Sequence, residues 1–540
     1  MTPTQPAQVT YFDAVCTLGR SVRTTPGQPE TAAELLAAMD HYGIHEALVV
    51  DALAKEANPR AGNERILQRT REHPRLHPAW AGLAPQSREL PPPDELVARM
   101  RAEGVGALFL FAEMMGFPLD GWAIDGLLEE LAAARVPLFL CPEHWSSPGA
   151  RDIADWSAVV RICRDFPDLP VVLTEARNMT HQRTVYAALD ACANLRLDIS
   201  ALWRGGLIEY VCEHWGAGRL LLGAGLPHRD PGAVLMQLNC ADISEEDLAA
   251  IAGGNLRELL GWNPAIESVA GEVSFPAPID EFHRMARERA DLSRERFCDS
   301  HAHLGESSPN HVNHLPVEGM VAEMDRCGVE VSLVFGLEGV LGDETWCNDY
   351  VADAVRRFPE RFVGLTLVNP NHGEAAMRAE MQRGLEMGLT GVKLIPHYQG
   401  YPTEGPLIDV ACEFCHEHGF FILDHDWGSP AQIERLCTTY QDACFVTGHA
   451  NGSYGEVTRR APNLFVGTCP FLAWGQCERF VALYGAERLL LGTDLTDLPI
   501  GWGLGPIFFA RIAEADKRKI LGENLRGLLR RHAASWPGNP

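Results

Sequence analysis

Four histidines and one aspartate in the second half of the chain have the types and spacing of a metal site. His301 and His303 stand two apart in FCDSHAHLG (Phe297–Gly305). In an extended strand residues i and i+2 project to one face, so both imidazoles point the same way. His425 lies in FFILDHDWG, His449 in CFVTGHANG and Asp494 in LLLGTDLTD, each just past an apolar run. Imidazole nitrogens and a carboxylate suit a borderline divalent ion such as zinc. One strand-end histidine is ordinary, but five such positions in order form a pattern.

The elements that must position them are parallel strands whose carboxyl ends meet. Short apolar, β-rich runs lie near Phe297, Val331, Phe362, Val392, Phe421, Phe445, Phe465 and Leu489. Helical patterns such as Val317–Cys327 and Leu407–His418 separate them. Repeated strand–helix units over ~250 residues predict a (β/α)8 barrel, a fold that carries its chemistry at the strand carboxyl ends.

The barrel is written twice. Sliding the chain against itself by about 285 residues matches MDHYGIHEALVV (Met39–Val50) to MDRCGVEVSLVF (Met324–Phe335). Later RLLLGAG (Arg219–Gly225) meets RLLLGTD (Arg488–Asp494), and GGNLRELL (Gly253–Leu260) meets GENLRGLL (Gly522–Leu529). The expected organisation is two tandem TIM barrels over 8–263 and 295–535, joined by a linker over 264–294 whose tail reads as a helix. In the first copy Val15 and Thr17 stand where His301 and His303 stand, Glu143 opposes His425, Glu175 opposes His449 and Gly225 opposes Asp494. Every proposed ligand is replaced there, so the first barrel is expected to hold no equivalent ion. A new carboxylate site from Asp13, Glu143 and Glu175 is the lesser expectation, since Arg177 offers them an ion pair. Asp299 persists as Asp13, which marks it as structural.

The second half resembles the amidohydrolase superfamily, closest to its amidohydrolase-2 branch. The resemblance rests on H-x-H after the first strand, GVKL (Gly391–Leu394) at the fourth, the histidines after the fifth and sixth, the aspartate after the eighth and the closing ILGENLRGLL (Ile520–Leu529). It implies that His301, His303, His425 and Asp494 bind a catalytic divalent metal, zinc by preference and one ion rather than two. Asp494 and His449 become the catalytic pair, with His449 either polarising water or helping to hold a second ion. Lys393 is a substrate-facing or salt-bridged lysine, or a carbamylated bridge between two ions. His397, Tyr398 and Trp427 follow the fourth and fifth strands and are candidate substrate contacts.

The implied reaction is hydrolysis of a small amide, lactone or ester by a metal-activated water. The alternatives are non-oxidative decarboxylation of an aromatic or unsaturated acid, and a non-catalytic scaffold. An arginine gripping a carboxylate would favour decarboxylation, and only Arg459 and Arg488 lie near second-copy motifs. Relatives pair their barrels as dimers, so the expected partner of each barrel is the other copy, with further oligomerisation open.

A net charge of −26 argues against nucleic acid or an anionic membrane as partner. No apolar run approaches the ~20 residues that span a bilayer. The amino-terminal residues lack a basic region followed by an apolar run, so the expected setting is cytoplasmic. The fifteen cysteines, irregularly spaced and often inside apolar runs, read as reduced thiols rather than disulfides.

Overall fold

The computed structural model describes residues 9–142, 154–175, 182–306, 316–449 and 452–538. In the second half Phe297–Leu304, Val329–Gly336, Phe362–Gly364 with Thr366–Leu367, Gly391–Leu394, Phe421–Asp424, Cys444–Thr447, Leu464–Gly467 and Leu489–Leu490 pair in parallel and in sequence order. The third strand is interrupted at Leu365, whose N–H still donates to Val334 O at 2.8 Å. The ring closes where Ser300 N–H donates to Leu491 O (2.8 Å) and Asp494 N–H to His301 O (2.9 Å). The predicted barrel is therefore present, with its third strand in two pieces.

The first half repeats the arrangement, from Tyr11–Leu18 through Leu195–Asp198 to Leu220–Leu221. Its third strand breaks at Ala79, and its ring closes through Ala14 N–H to Leu222 O and Thr17 N–H to Leu226 O, both 2.8 Å. Most strand residues in both rings are apolar because parallel strands are covered on both faces, the exceptions gathering toward the strand ends. Val331, Leu333, Leu365, Leu423 and Val446 fill one core, and Phe12, Val15, Phe109, Phe139 and Val172 the other. The helices stop where their sequences say they should. Pro406–His418 begins on proline and ends at Gly419, whose φ of 67° only glycine adopts without strain.

The chain divides into two compact units, and the division is not a single cut. One unit takes the residues up to Trp203, Leu207–Pro278 and Ala473–Gly475. The other takes Arg204–Gly206, Ile279–Leu472 and the residues from Gln476 onward. The predicted linker is shared out between them. Its front packs on the first unit, with Ser268 Oγ donating to Glu46 at 2.9 Å. Its helix, Glu281–Glu288, packs on the second through Phe282 and Phe508, 5.4 Å between ring centroids. Among the described residues no helix is long and apolar enough to cross a membrane. None of the fifteen cysteines, all among the described residues, is in a disulfide, and all but Cys212 are buried.

Candidate metal centre

His301, His303 and Asp494 converge at the mouth of the second barrel, all three buried. The first strand delivers both histidines, and the loop after the eighth brings Asp494 over them. Asp494 Oδ1 lies 2.9 Å from His303 Nε2 and 3.3 Å from His301 Nε2. The tautomer of His301 follows from its other nitrogen. Nδ1 faces the carbonyl oxygen of Gly448, which only accepts, so Nδ1 carries the proton and Nε2 a lone pair. That lone pair faces a carboxylate oxygen in a buried site, and His301 Nε2 and His303 Nδ1 have no hydrogen-bond partner. Two acceptors facing each other away from water are costly unless a cation lies between them. Neutral imidazole is also the ligand form. Burial and then the Lys393 charge hold His301 well below the ordinary histidine range, and burial lowers His303 and His449. Burial alone would raise Asp494, but His301, His303 and His449 outweigh it and keep its carboxyl well below the usual carboxylate range.

The backbone reinforces this assignment. Asp494 adopts φ 60°, a left-handed conformation costing about 1–2 kcal/mol for a residue with a Cβ. Its first-copy counterpart, Gly225, has φ 72°. The loop demands that conformation in both copies, and only the copy with histidines keeps a carboxylate there. Asp494→Gly is therefore expected to exceed Asp494→Ala in stability by about 1 kcal/mol, with the ion lost from both. Denaturant unfolding beside metal analysis checks this, and equal stability would contradict the strain argument.

A second trio, His449, Cys469 and Asp494, also offers three ligand atoms within 4.8 Å of one another. His449 Nδ1 donates to Cys469 O at 3.1 Å, which leaves its Nε2 unprotonated. His425, expected among the ligands, falls in neither trio; its ring lies 4.1 Å from His449 and 4.2 Å from His397. Tyr398 is partly exposed, 5.4 Å from His425. Trp427 is fully buried, its Nε1 donating to Val446 O at 3.0 Å and its ring against Phe445, a packing residue rather than a lining one.

Lys393 is fully buried, and burial draws its ammonium down to about 7. Its Nζ has no hydrogen-bond partner and lies 4.4 Å from the Phe335 ring centroid, so the expected salt bridge is not formed among the described residues. The strand register gives its first-copy counterpart as Phe109, since Phe109 pairs with Ala81 as Lys393 pairs with Leu367. Asp299 accepts from His301 N–H (3.1 Å), Thr493 N–H (3.0 Å) and Thr493 Oγ1 (2.6 Å), the structural role its persistence suggested.

In the first barrel Val15 lies in the apolar core and Glu175 is ion-paired with Lys55. Lys55 Nζ sits 2.6 and 2.8 Å from the two Glu175 oxygens, with both side chains buried. Glu143 and Arg177 lie outside the described residues. Asp13 accepts backbone N–H bonds from Val15 (2.9 Å) and Ala224 (2.8 Å), and burial raises its carboxyl to about 8.

Sequence reasoning passed over two residues of the second unit. Cys469 is buried beside His449 and Asp494, and no spacing singled it out among fifteen cysteines. Arg204 belongs to the second unit although its sequence belongs to the first copy. Its guanidinium forms an ion pair with Asp497, three residues past Asp494, and Nη1 donates to Asp497 O at 2.9 Å.

A parallel barrel that gathers histidines and an aspartate at its strand ends defines a class, the metal-dependent barrel enzymes. A family model described as Amidohydrolase matches residues 21–262 and again 298–531, so the chain belongs to the amidohydrolase family, in two consecutive copies of its domain. No curated protein matches the chain. Similar solved structures include an uncharacterized TIM-barrel protein from Bordetella bronchiseptica, at 20% identity and TM-score 0.38, covering 44% of this chain and 99% of that one. A 2,6-dihydroxybenzoate decarboxylase from Rhizobium is similar at 15% identity and TM-score 0.35, over the same shares. So is a 5-carboxyvanillate decarboxylase from Novosphingobium aromaticivorans complexed with manganese, at 16% and 0.37, again over 44% and 99%. Likenesses this low carry no function to the chain.

Proposed function

We propose that the second barrel is a metal-dependent hydrolase of small amides, lactones or esters, and that the first barrel does no chemistry of its own. The observation that carries the reading is the buried His301 Nε2 lone pair facing Asp494 Oδ1, with the remaining imidazoles held neutral around it. His301, His303 and Asp494 would hold the ion, with His425 and His449 beside them. When bound, a divalent ion supplies Lewis acidity, polarising a carbonyl oxygen and lowering the pKa of water from 15.7 toward about 7. Asp494, kept ionised, accepts the proton of the attacking water and returns it to the leaving group. His449 carries a lone pair on Nε2, so it accepts a hydrogen bond from that water and orients it, a role a lone pair can fill and an oxyanion-stabilising donor cannot. Lys393, near neutrality and without a hydrogen-bond partner, faces the substrate or takes up carbon dioxide as a carbamate.

A second reading, decarboxylation of an aromatic or unsaturated acid, would use the same set of His301, His303 and Asp494. In the first barrel the Lys55–Glu175 pair supports silence, because the carboxylate opposite His449 already holds an internal ammonium. Chelator treatment, followed by zinc or manganese, tests the main reading on a panel of esters, lactones and amides set beside aromatic acids. Hydrolysis that disappears with the ion and returns with it is the expected result. Carbon dioxide release from an acid, with no hydrolysis, would replace the main reading with the second.

A further inference from the structure

We infer that His449, Cys469 and Asp494 form a second cation subsite in the second barrel, which takes a thiophilic divalent ion such as zinc or cadmium and inhibits when filled. The subsite stands on its own geometry, and the inhibition rests on the hydrolase reading proposed for that barrel.

The geometry separates two places for an ion. The ligand atoms of His301, His303 and Asp494 lie within 4.8 Å of one another, and so do those of His449, Cys469 and Asp494. The trios share only Asp494, whose carboxylate has two oxygens and can serve neighbouring ions. Cys469 stands just past the strand Leu464–Gly467 and His449 just past Cys444–Thr447, and these strands pair directly. Cys469 Sγ lies 3.6 Å from His449 Nδ1. A nitrogen at ~2.0 Å and a sulfur at ~2.3 Å from one tetrahedral ion stand about 3.5 Å apart. Gly492 leaves room for this cysteine, since a Cβ on that glycine would come within 2.9 Å of the Cys469 Cβ. Cys469 and Asp494 are buried, while His449 is partly exposed and gives an ion a way in.

The first copy lacks every member of the trio. Gly467 pairs with Leu490 as Asp198 pairs with Leu221, so Ser200 stands where Cys469 stands. Ser200 Oγ donates to Asp198 at 2.8 Å, while Glu175 and Gly225 replace His449 and Asp494. The sulfur occurs only in the copy whose neighbours can share an ion with it. A thiolate is a soft donor, which favours zinc, and cadmium as its softer analogue, over manganese or magnesium.

Ligation changes what His449 can do. Binding through Nδ1 moves the ring proton to Nε2 and gives up the hydrogen bond to Cys469 O, and the thiol releases its proton to solvent. His449 then presents a donor to the attacking water where it had presented an acceptor. Asp494, shared between two cations, is a poorer proton acceptor. Both changes oppose hydrolysis. Loss of the His449 bond also makes this subsite the weaker one, so it fills only after the first holds its ion.

The test is a cadmium titration of the full-length chain carrying one equivalent of zinc. It is read by ultraviolet thiolate-to-cadmium absorbance and by total metal content after dialysis. Wild type is expected to take up one further ion and to develop the absorbance band. Cys469→Ser should lose the band and bind the second ion roughly tenfold or more weakly, at least what loss of an outer partner of a ligand costs. It should keep the first ion, which reports that the barrel is folded. His301→Ala/His303→Ala should keep the band, because those residues serve the first subsite only. No further ion in wild type, or a band of wild-type strength in Cys469→Ser, would overturn the subsite. Excess zinc is expected to inhibit wild-type hydrolysis and to spare Cys469→Ser. Uptake of the second ion without inhibition would overturn the inhibitory role. The band in a chain that hydrolyses none of the substrates would uphold the subsite while removing the hydrolase reading.

Discussion

Replacing His301 and His303 together by alanine is expected to release the ion and to lower hydrolytic turnover by roughly a thousandfold or more. A bound ion contributes several kcal/mol of charge stabilisation to the transition state, and each 1.36 kcal/mol is tenfold in rate. The structure makes the loss specific, because the first strand supplies both imidazoles and Asp494 faces them from the eighth. Folding should survive the change. Asp299 holds the ring together through Thr493 and the His301 backbone, and alanine preserves that backbone bond. Steady-state kinetics beside far-ultraviolet circular dichroism reads both quantities. Turnover within tenfold of wild type in a folded, metal-free variant would contradict the proposed chemistry.

The second large effect concerns the barrel without ligands. Lys55→Met strands the Glu175 carboxylate in a site where both partners are buried, and is expected to destabilise the first barrel by about 3–5 kcal/mol. Phe111, 5.5 Å from the Lys55 nitrogen, offers its ring face and no donor, so it cannot replace the lost ammonium. The double change Lys55→Met/Glu175→Leu removes both charges and should recover most of the loss, since an apolar pair carries no desolvation cost. Denaturant unfolding read on the first-barrel transition checks both variants. A Lys55→Met variant within about 0.5 kcal/mol of wild type would show that the pair is solvated and that the first mouth is open. That level is the ordinary scatter of a surface substitution.

Much of this was legible in the sequence for physical reasons. Strands covered on both faces are mostly apolar, and helices between them must start and stop within a few residues, so the alternation appears in the letters. Two copies read against each other exposed the ligand positions, because Val15 and Gly225 keep the backbone role and drop the side-chain chemistry of His301 and Asp494. Contacts distant along the chain were not legible. Lys55 meets Glu175 across 120 positions of sequence with no shared motif. The place of Arg204 was passed over because each unit was read only in the residues of its own copy, while Arg204–Gly206 count with the other unit. Trp427 looked like a pocket residue from its place after a strand. Its indole instead turns to the Val446 carbonyl, which no local pattern announces. Cys469 differs from the other buried thiols only in its neighbours, and neighbours are a property of the folded chain.

The central claim is that one buried metal site in the second barrel does the chemistry. The most direct test is metal content per chain, by mass spectrometry on full-length protein purified without a histidine tag or chelator. The predicted result is about one ion per chain, the single-site arrangement of mononuclear metal hydrolases, kept when Lys55 and Glu175 are replaced and lost when His301 and His303 are. No ion, and none taken up from added zinc or manganese, would contradict the claim and leave a scaffold with four unused histidines.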